Sequence, residues 1–239
     1  MRHFLSVLLV LCAACGSSDF RSCPTTHTNP TKQLYNDVVI ELIEQRLYDA
    51  YLPREDQQVI WQHFATVDHL EPTAADSQWH HAQKVHFQQQ LYQDTVRFQT
   101  FYLRTVGAYT AQLAGLPTQF TALQAGPKIL ARLAARITAL TPQSPQAVLD
   151  SLNTVQRHMP AQEFQLCTAK LLPLPATQRA HEAGGTITLS SVVFNAPQDQ
   201  ALLAYGWQCG PRCGFGEVLW VEKVNGRWHI KQAEQIWIA

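Results

Sequence analysis

Charge is scarce in this sequence, and it cancels. Asp, Glu, Lys and Arg make up 15% of 239 residues, and 18 basic side chains offset 18 acidic ones. Such a balance leaves no long-range field to draw in nucleic acid or an anionic surface. Long apolar runs are also missing: none reaches the roughly 18–20 residues that cross a bilayer as a helix. The short motifs of familiar chemistry are absent too. There is no Gly-x-Ser-x-Gly elbow, no His-Glu-x-x-His, no phosphate loop and no dinucleotide fingerprint. No internal repeat or heptad run occurs. What the chain does have is 46% hydrophobic residues, ten histidines, six tryptophans and six cysteines. That is ample for one core, and a single domain is expected.

The first residues read as an address. Met1-Arg2-His3 is a short basic stretch and Phe4 to Leu11 an apolar stretch of signal-peptide length. Leu11-Cys12-Ala13-Ala14-Cys15-Gly16 follows, and small residues before a Cys resemble a bacterial lipobox. The resemblance implies removal of residues 1–14, acylation of Cys15 and attachment to the cell envelope of a Gram-negative bacterium. Three acyl chains bury enough CH₂ groups for stable anchoring, where one is marginal. Gly16, with no acid before Asp19, favours the outer membrane. Cys12 departs from the usual Leu at its position; the competing reading is a plain cleavable signal that leaves Cys15 as a spare thiol.

Four cysteines then remain: Cys23, Cys167, Cys209 and Cys213. In an oxidising envelope they allow two disulfides in three connectivities. Cys209–Cys213 is nearest in sequence, and pairing it leaves Cys23–Cys167 to pin the tether, residues 15–28, to the body.

From residue 29 the chain reads first as helix, then as strand. Asn29-Pro30 starts a helix, with Asn as cap and Pro in the first turn. Its apolar stripes are Leu34, Val38, Leu42 and Tyr35, Val39, Ile43, Leu47. Asp37, Glu41 and Glu44 share this helix, and their spacing reads as a solvated face. Trp79 to about Leu113 is predicted helical, because Leu91, Thr95, Phe98, Tyr102 and Val106 keep helical spacing. Lys128 to Leu140 and Ser144 to about His158 are two further helices. Phe164 to Leu172, Thr186 to Phe194 and Ala201 to Cys209 then read as strands. Gly216 to Val224 and Arg227 to Ile230 flank Asn225-Gly226, a strong two-residue hairpin signal. That turn sets Val221 opposite Ile230, Lys223 opposite Trp228 and Glu222 opposite His229. Leu219, Val221, Trp228 and Ile230 then share the core face. The expectation is an α+β domain over 29–239, helical across 29–160, with an antiparallel meander of about four to five strands over 163–238.

The C-terminal strands resemble those of a widespread group of uncharacterised exported bacterial proteins. The matching residues are Val193-Phe194-Asn195, Gln200-Ala201-Leu202-Leu203-Ala204-Tyr205, Cys209-Gly210, Cys213-Gly214 and Gly216. Lys223, Asn225-Gly226, Trp228, Ile230 and Trp237-Ile238 continue the match. Tyr35-Asn36 and Val38 resemble the group's first helix. The resemblance implies the folding unit and carries no assigned activity.

Candidate chemistry centres on Cys209-Gly210-Pro211-Arg212-Cys213. It invites comparison with the thioredoxin motif, but there the first thiolate opens a helix whose amides lower its pKa. Here the spacing is one residue longer and Gly214-Phe215-Gly216 runs into a strand. A structural disulfide at a corner is the favoured reading, with Gly210, Gly214 and Gly216 as turn residues and Pro211 as stiffener. Thiol–disulfide exchange is the alternative, and a hydrolase with no recognisable motif is a third option. Zinc held by Cys209, Cys213 and a residue such as His229 lacks a full ligand set. His80, His81 and His86 do not converge on a regular helix. The tryptophans Trp207, Trp220, Trp228 and Trp237 are expected in the core and not on a sugar platform. No cofactor and no metal is expected. The expected partners are the membrane, through the anchor, and an envelope protein or small ligand, with no nucleic acid.

Overall fold

The computed structural model describes residues 23, 25–47, 58–60, 62–63, 73–91, 99–105, 127–156, 158–175, 184–210 and 213–238, with backbone only for 87–91 and 127–130. The fold is α+β. Helix α1, Pro30–Glu41, begins where expected: the Asn29 side chain accepts hydrogen bonds from the backbone N–H of Thr31 and Lys32. It continues as a π-helical turn, Leu42–Arg46. Helix α2, Ala74–Leu91, starts from a capping box. Thr73 Oγ1 accepts from the Asp76 N–H and the Asp76 carboxylate accepts from the Thr73 N–H. Helix α3 spans Pro127–Leu140 and α4 spans Pro145–Leu152, capped by Ser144. The helix expected to reach His158 therefore stops six residues early.

The strands are β1 Thr100–Arg104, β2 Lys170–Pro173, β3 Thr186–Leu189, β4 Val193–Phe194, β5 Gln200–Gly210, β6 Cys213–Val224 and β7 Arg227–Ile238. They form one sheet in the order β2-β1-β3-β5-β6-β7, with β4 also on β5. The last three strands are the expected antiparallel meander. The other half corrects the sequence reading. Phe101–Arg104, assigned to a helix above, is a strand running parallel to both β2 and β3. The sheet is thus mixed, and a strand lies inside the half expected to be helical. A parallel pair needs a crossover connection, and α3 and α4 lie in the chain between β1 and β2. Phe164 to Ala169, expected as strand, is a 3₁₀ turn exit and irregular chain leading into β2.

Two cores lie on the two faces of the sheet. One joins Leu34, Tyr35, Val38, Val39, Leu42 and Ile43 of α1 to Phe101, Leu103, Ile187, Leu189, Leu203, Tyr205, Leu219, Val221 and Trp228. The other joins Leu133, Ile137 and Leu140 of α3 and Val148 and Leu152 of α4 to Leu202, Ala204, Val218 and Ile236. Both faces of β5 are therefore buried, and it reads as a continuous apolar run. Trp220 pairs with Gln232 and Val221 with Ile230, so Lys231 is a bulge residue. The bulge turns β7 over: Trp228 faces the first core and Ile236 the second.

Candidate functional site

The cysteines pair as Cys209–Cys213 and Cys23–Cys167, with Cα atoms 5.1 and 5.6 Å apart. The first bond closes the mouth of the β5–β6 hairpin. Register shifts between Gln208 and Gly210, leaving Cys209 outside the ladder and Gly210 opposite Cys213. Cys213 is exposed and Cys209 half-buried. Both lie at strand ends, unlike the thioredoxin cysteine that opens a helix. Gly210 is the last residue of β5, and Pro211 lies outside the described residues, as does Cys15.

Gly214 and Gly216 are not turn residues as expected. Both lie inside β6, and close packing demands glycine there. A Cβ on Gly216 would stand 1.9 Å from Trp237 Nε1, because that indole lies flat across its cross-strand partner. A Cβ on Gly214 would stand 2.6 Å from the Trp207 carbonyl oxygen. Asn225-Gly226 is the predicted turn. Its φ angles of 51° and 82° are the paired positive values of a type I′ hairpin.

The acids of α1 hold the largest surprise. The expectation of a solvated face is overturned: Asp37 is 2% exposed and Glu44 is buried. Asp37 Oδ2 accepts from the Trp228 N–H at 3.1 Å, and Glu41 Oε2 accepts from the Ile230 N–H at 3.2 Å. Gln33 Nε2 donates to the Gly226 carbonyl at 2.6 Å. Helix positions four apart thus meet strand positions two apart. The rise per step is about 6.0 Å on the helix and about 6.8 Å on the strand, so the two ladders match. The row covers the free edge of β7, which would otherwise present unpaired N–H groups. Arg227 stands 3.5 Å from Asp37 Oδ1, and His229 Nδ1 stands 3.5 Å from Glu41 Oε2. Burial still pushes both carboxyls above the ordinary range, against the backbone hydrogen bonds and the neighbouring Arg227 and His229 side chains.

The π turn beyond shifts the helical phase and places two more charged groups. Glu44 Oε1 lies 3.5 Å from Cys23 Sγ and accepts from Thr168 Oγ1 at 3.2 Å. A disulfide sulfur carries no proton, so the first is a contact and not a donated bond. These three residues, Cys23, Glu44 and Cys167, are a grouping of metal-ligand type, but sulfurs joined to each other are not thiolate ligands. Arg46 donates to Glu217 Oε1 at 2.7 Å, and Tyr205 Oη donates to Glu217 Oε2 at 2.6 Å. Burial, with the adjoining Glu217 carboxylate, pushes the Tyr205 phenol well above its usual range. Burial alone would lower the Arg46 pKa, but Glu217 and Tyr205 together raise it. Arg46 and Tyr205 thus each donate to the Glu217 carboxylate, one to each oxygen.

The zinc option using His229 does not assemble. His229 pairs with Glu222, and Glu222 with Gln200, at the far end of β5 from Cys209. His81 and His86 are exposed on α2 and His80 is half-buried. Trp228 is core, as expected, while Trp207, Trp220 and Trp237 are half-buried at the rims of the two cores. Comparison with family models, with curated proteins and with solved structures returns no match.

Proposed function

We propose that this chain is an exported lipoprotein of the bacterial cell envelope, held by acyl chains on Cys15, whose α+β domain binds or scaffolds a partner without catalysing a reaction. The observation that carries the reading is the pairing of Cys23 with Cys167 and of Cys209 with Cys213. Two disulfides in one small domain suit an oxidising compartment, in keeping with the signal-like residues 1–14. The preference for binding over catalysis rests on how the ionisable groups are used. Asp37 and Glu41 are engaged by the β7 backbone, and Glu217 by Tyr205 and Arg46. Each secures the fold; Asp37 and Glu217 are buried and Glu41 is half-buried.

A second reading is thiol–disulfide exchange at Cys209–Cys213, favoured by the exposure of Cys213. One experiment separates the two. The reduction potential of this pair is measured against glutathione, with thiols counted before and after. The scaffolding reading expects a disulfide that glutathione leaves intact, in the range below about −300 mV typical of structural bonds. A potential near those of oxidoreductases, with one thiol reactive at neutral pH, would replace it. The anchor has its own test: Cys15→Ser should move the protein from the membrane to the soluble fraction. Retention at the membrane would reject acylation at Cys15.

A further inference from the structure

We propose that the end of the sheet carrying Trp207, Phe215, Trp237 and Ile238 is a lipid-contacting rim that seats the domain on the bilayer. The proposal rests on the anchored reading above and adds to it which surface meets the membrane.

The strand registers place these residues together. Phe215 pairs with Trp207 on one side and with Ile238 on the other, and Gly216 pairs with Trp237. The end of β5, the start of β6 and the end of β7 therefore form one end of the sheet. The asparagine–glycine turn at Asn225 and Gly226 forms the opposite end. Following the ladder outward, Gln208 pairs with Thr186, Thr186 with Tyr102, and Thr100 with Lys170. The strands β1, β2 and β3 all start at the same end as the rim. Cys167 precedes Lys170 by three residues, so the Cys23–Cys167 bond lies at this end as well. The ion pair of Arg46 with Glu217, two residues after Phe215, ties the helix end beside Cys23 to the same place.

That coincidence identifies the occupant. Eight peptide steps separate Cys15 from Cys23, a reach of at most about 28 Å. An acylated Cys15 thus keeps the bilayer within about one strand length of the rim. The Asn225-Gly226 end lies a full β6 strand further from the point where the tether enters the domain. The rim has the composition the interface favours. Ile238 is 75% exposed, more than any other large apolar side chain among the described residues. Trp207, Phe215 and Trp237 are half-buried beside it, and Trp207 packs edge-on to Phe215 at 5.6 Å. Tryptophan is enriched at the membrane–water interface; here the Trp207 N–H is donated to the Gly184 carbonyl, so the rim offers lipid the apolar bodies of its rings. An exposed isoleucine at the end of an edge strand, opposite Phe215, adds an apolar contact beside them.

The test uses the full lipidated chain in vesicles of phosphatidylethanolamine and phosphatidylglycerol, with Cys15→Ser protein as the soluble reference. Flotation with the vesicles comes first and tests the anchor alone. Wild type that fails to float removes the anchored reading itself. For floating protein, amide hydrogen exchange is compared with the soluble reference. The expected result is a several-fold slowing at 213–216 and 236–238, with 224–228 unchanged. Ile238→Asp, at an exposed site that leaves folding intact, should float as wild type does and lose most of that slowing. Uniform exchange along the sheet, or slowing at the Asn225 end, overturns the rim while leaving the anchor standing. If slowing at the rim appears in the soluble reference as its concentration is raised, the occupant is a second copy of the chain, and the lipid assignment falls.

Discussion

Trp237 makes glycine obligatory at position 216. Its indole lies across the backbone of its cross-strand partner, so that a single added methyl at 216 would collide with Nε1, Cε2 and Cδ1 together. Packed interiors meet such overfilling with displaced rings and backbone, at about 1–3 kcal/mol. Gly216→Ala should lower stability by this amount, measured as a shift in the urea midpoint at unchanged slope. In a Trp237→Leu background the same change should cost much less, because the colliding ring is gone. Equal losses in both backgrounds would mean that the backbone, and not the indole, excludes the methyl. The sequence Gly-Phe-Gly reads as a turn because glycine serves tight turns and close approach equally well. Only the partner strand, some twenty residues further on, tells which use applies.

At the element scale the same limit governs α1. Its start was legible from Asn29 and Pro30, and its apolar stripes were legible from spacing. Its acids were not, because what binds them is the backbone of a strand about 190 residues away. A carboxylate on a helix carries no local sign that it will accept from a strand edge. β1 was missed for a related reason: Tyr102 falls in a stretch whose residues keep helical spacing in the sequence. A five-residue buried strand is too short for its own alternation to compete. The β6–β7 hairpin, by contrast, was readable to the residue, since a two-residue turn fixes every pair that follows until the bulge at Lys231. The α1–β7 row makes a pH prediction. Asp37 and Glu41 are raised above their ordinary values of 3.8 and 4.5, first by burial. The folded state therefore holds these protons more tightly than the unfolded chain does. The stability they contribute is complete below the unfolded values and is lost as pH rises through the folded ones. Relative to Asp37→Asn/Glu41→Gln, wild type should thus gain in urea midpoint between about pH 7 and about pH 4. A constant difference across that range, or the reverse slope, would reject it. Asp37→Ala should cost about 1–3 kcal/mol at neutral pH by stranding the Trp228 N–H, more than Asp37→Asn, which keeps an acceptor there.

For the molecule as a whole, the two disulfides do unequal work. Cys23–Cys167 joins residues 144 apart in sequence, linking the chain ahead of α1 to the lead-in of the far edge strand β2. Cys209–Cys213 joins residues only 4 apart, within one hairpin. On the chain-entropy model the long closure stabilises by about 5 kcal/mol and the short one by about 2 kcal/mol. Access runs the other way. Cys23 is 1% exposed and packed against Glu44, whereas Cys213 lies open at the hairpin mouth. Exchange needs an attacking thiolate to reach a sulfur, so access sets the order of opening. A graded dithiol titration with alkylation and peptide mass mapping should show Cys209 and Cys213 labelled first, while the fold persists with a small loss of stability. Cys23 and Cys167 should label only as the domain unfolds, in one cooperative step. The paired serine variants should mirror this, Cys23→Ser/Cys167→Ser losing the larger share of stability. If Cys23 and Cys167 labelled first, with the fold intact, the long bond would be the exposed and reducible one. The clamp between tether and sheet, on which the orientation of the rim depends, would then be a reversible contact instead of a fixed one.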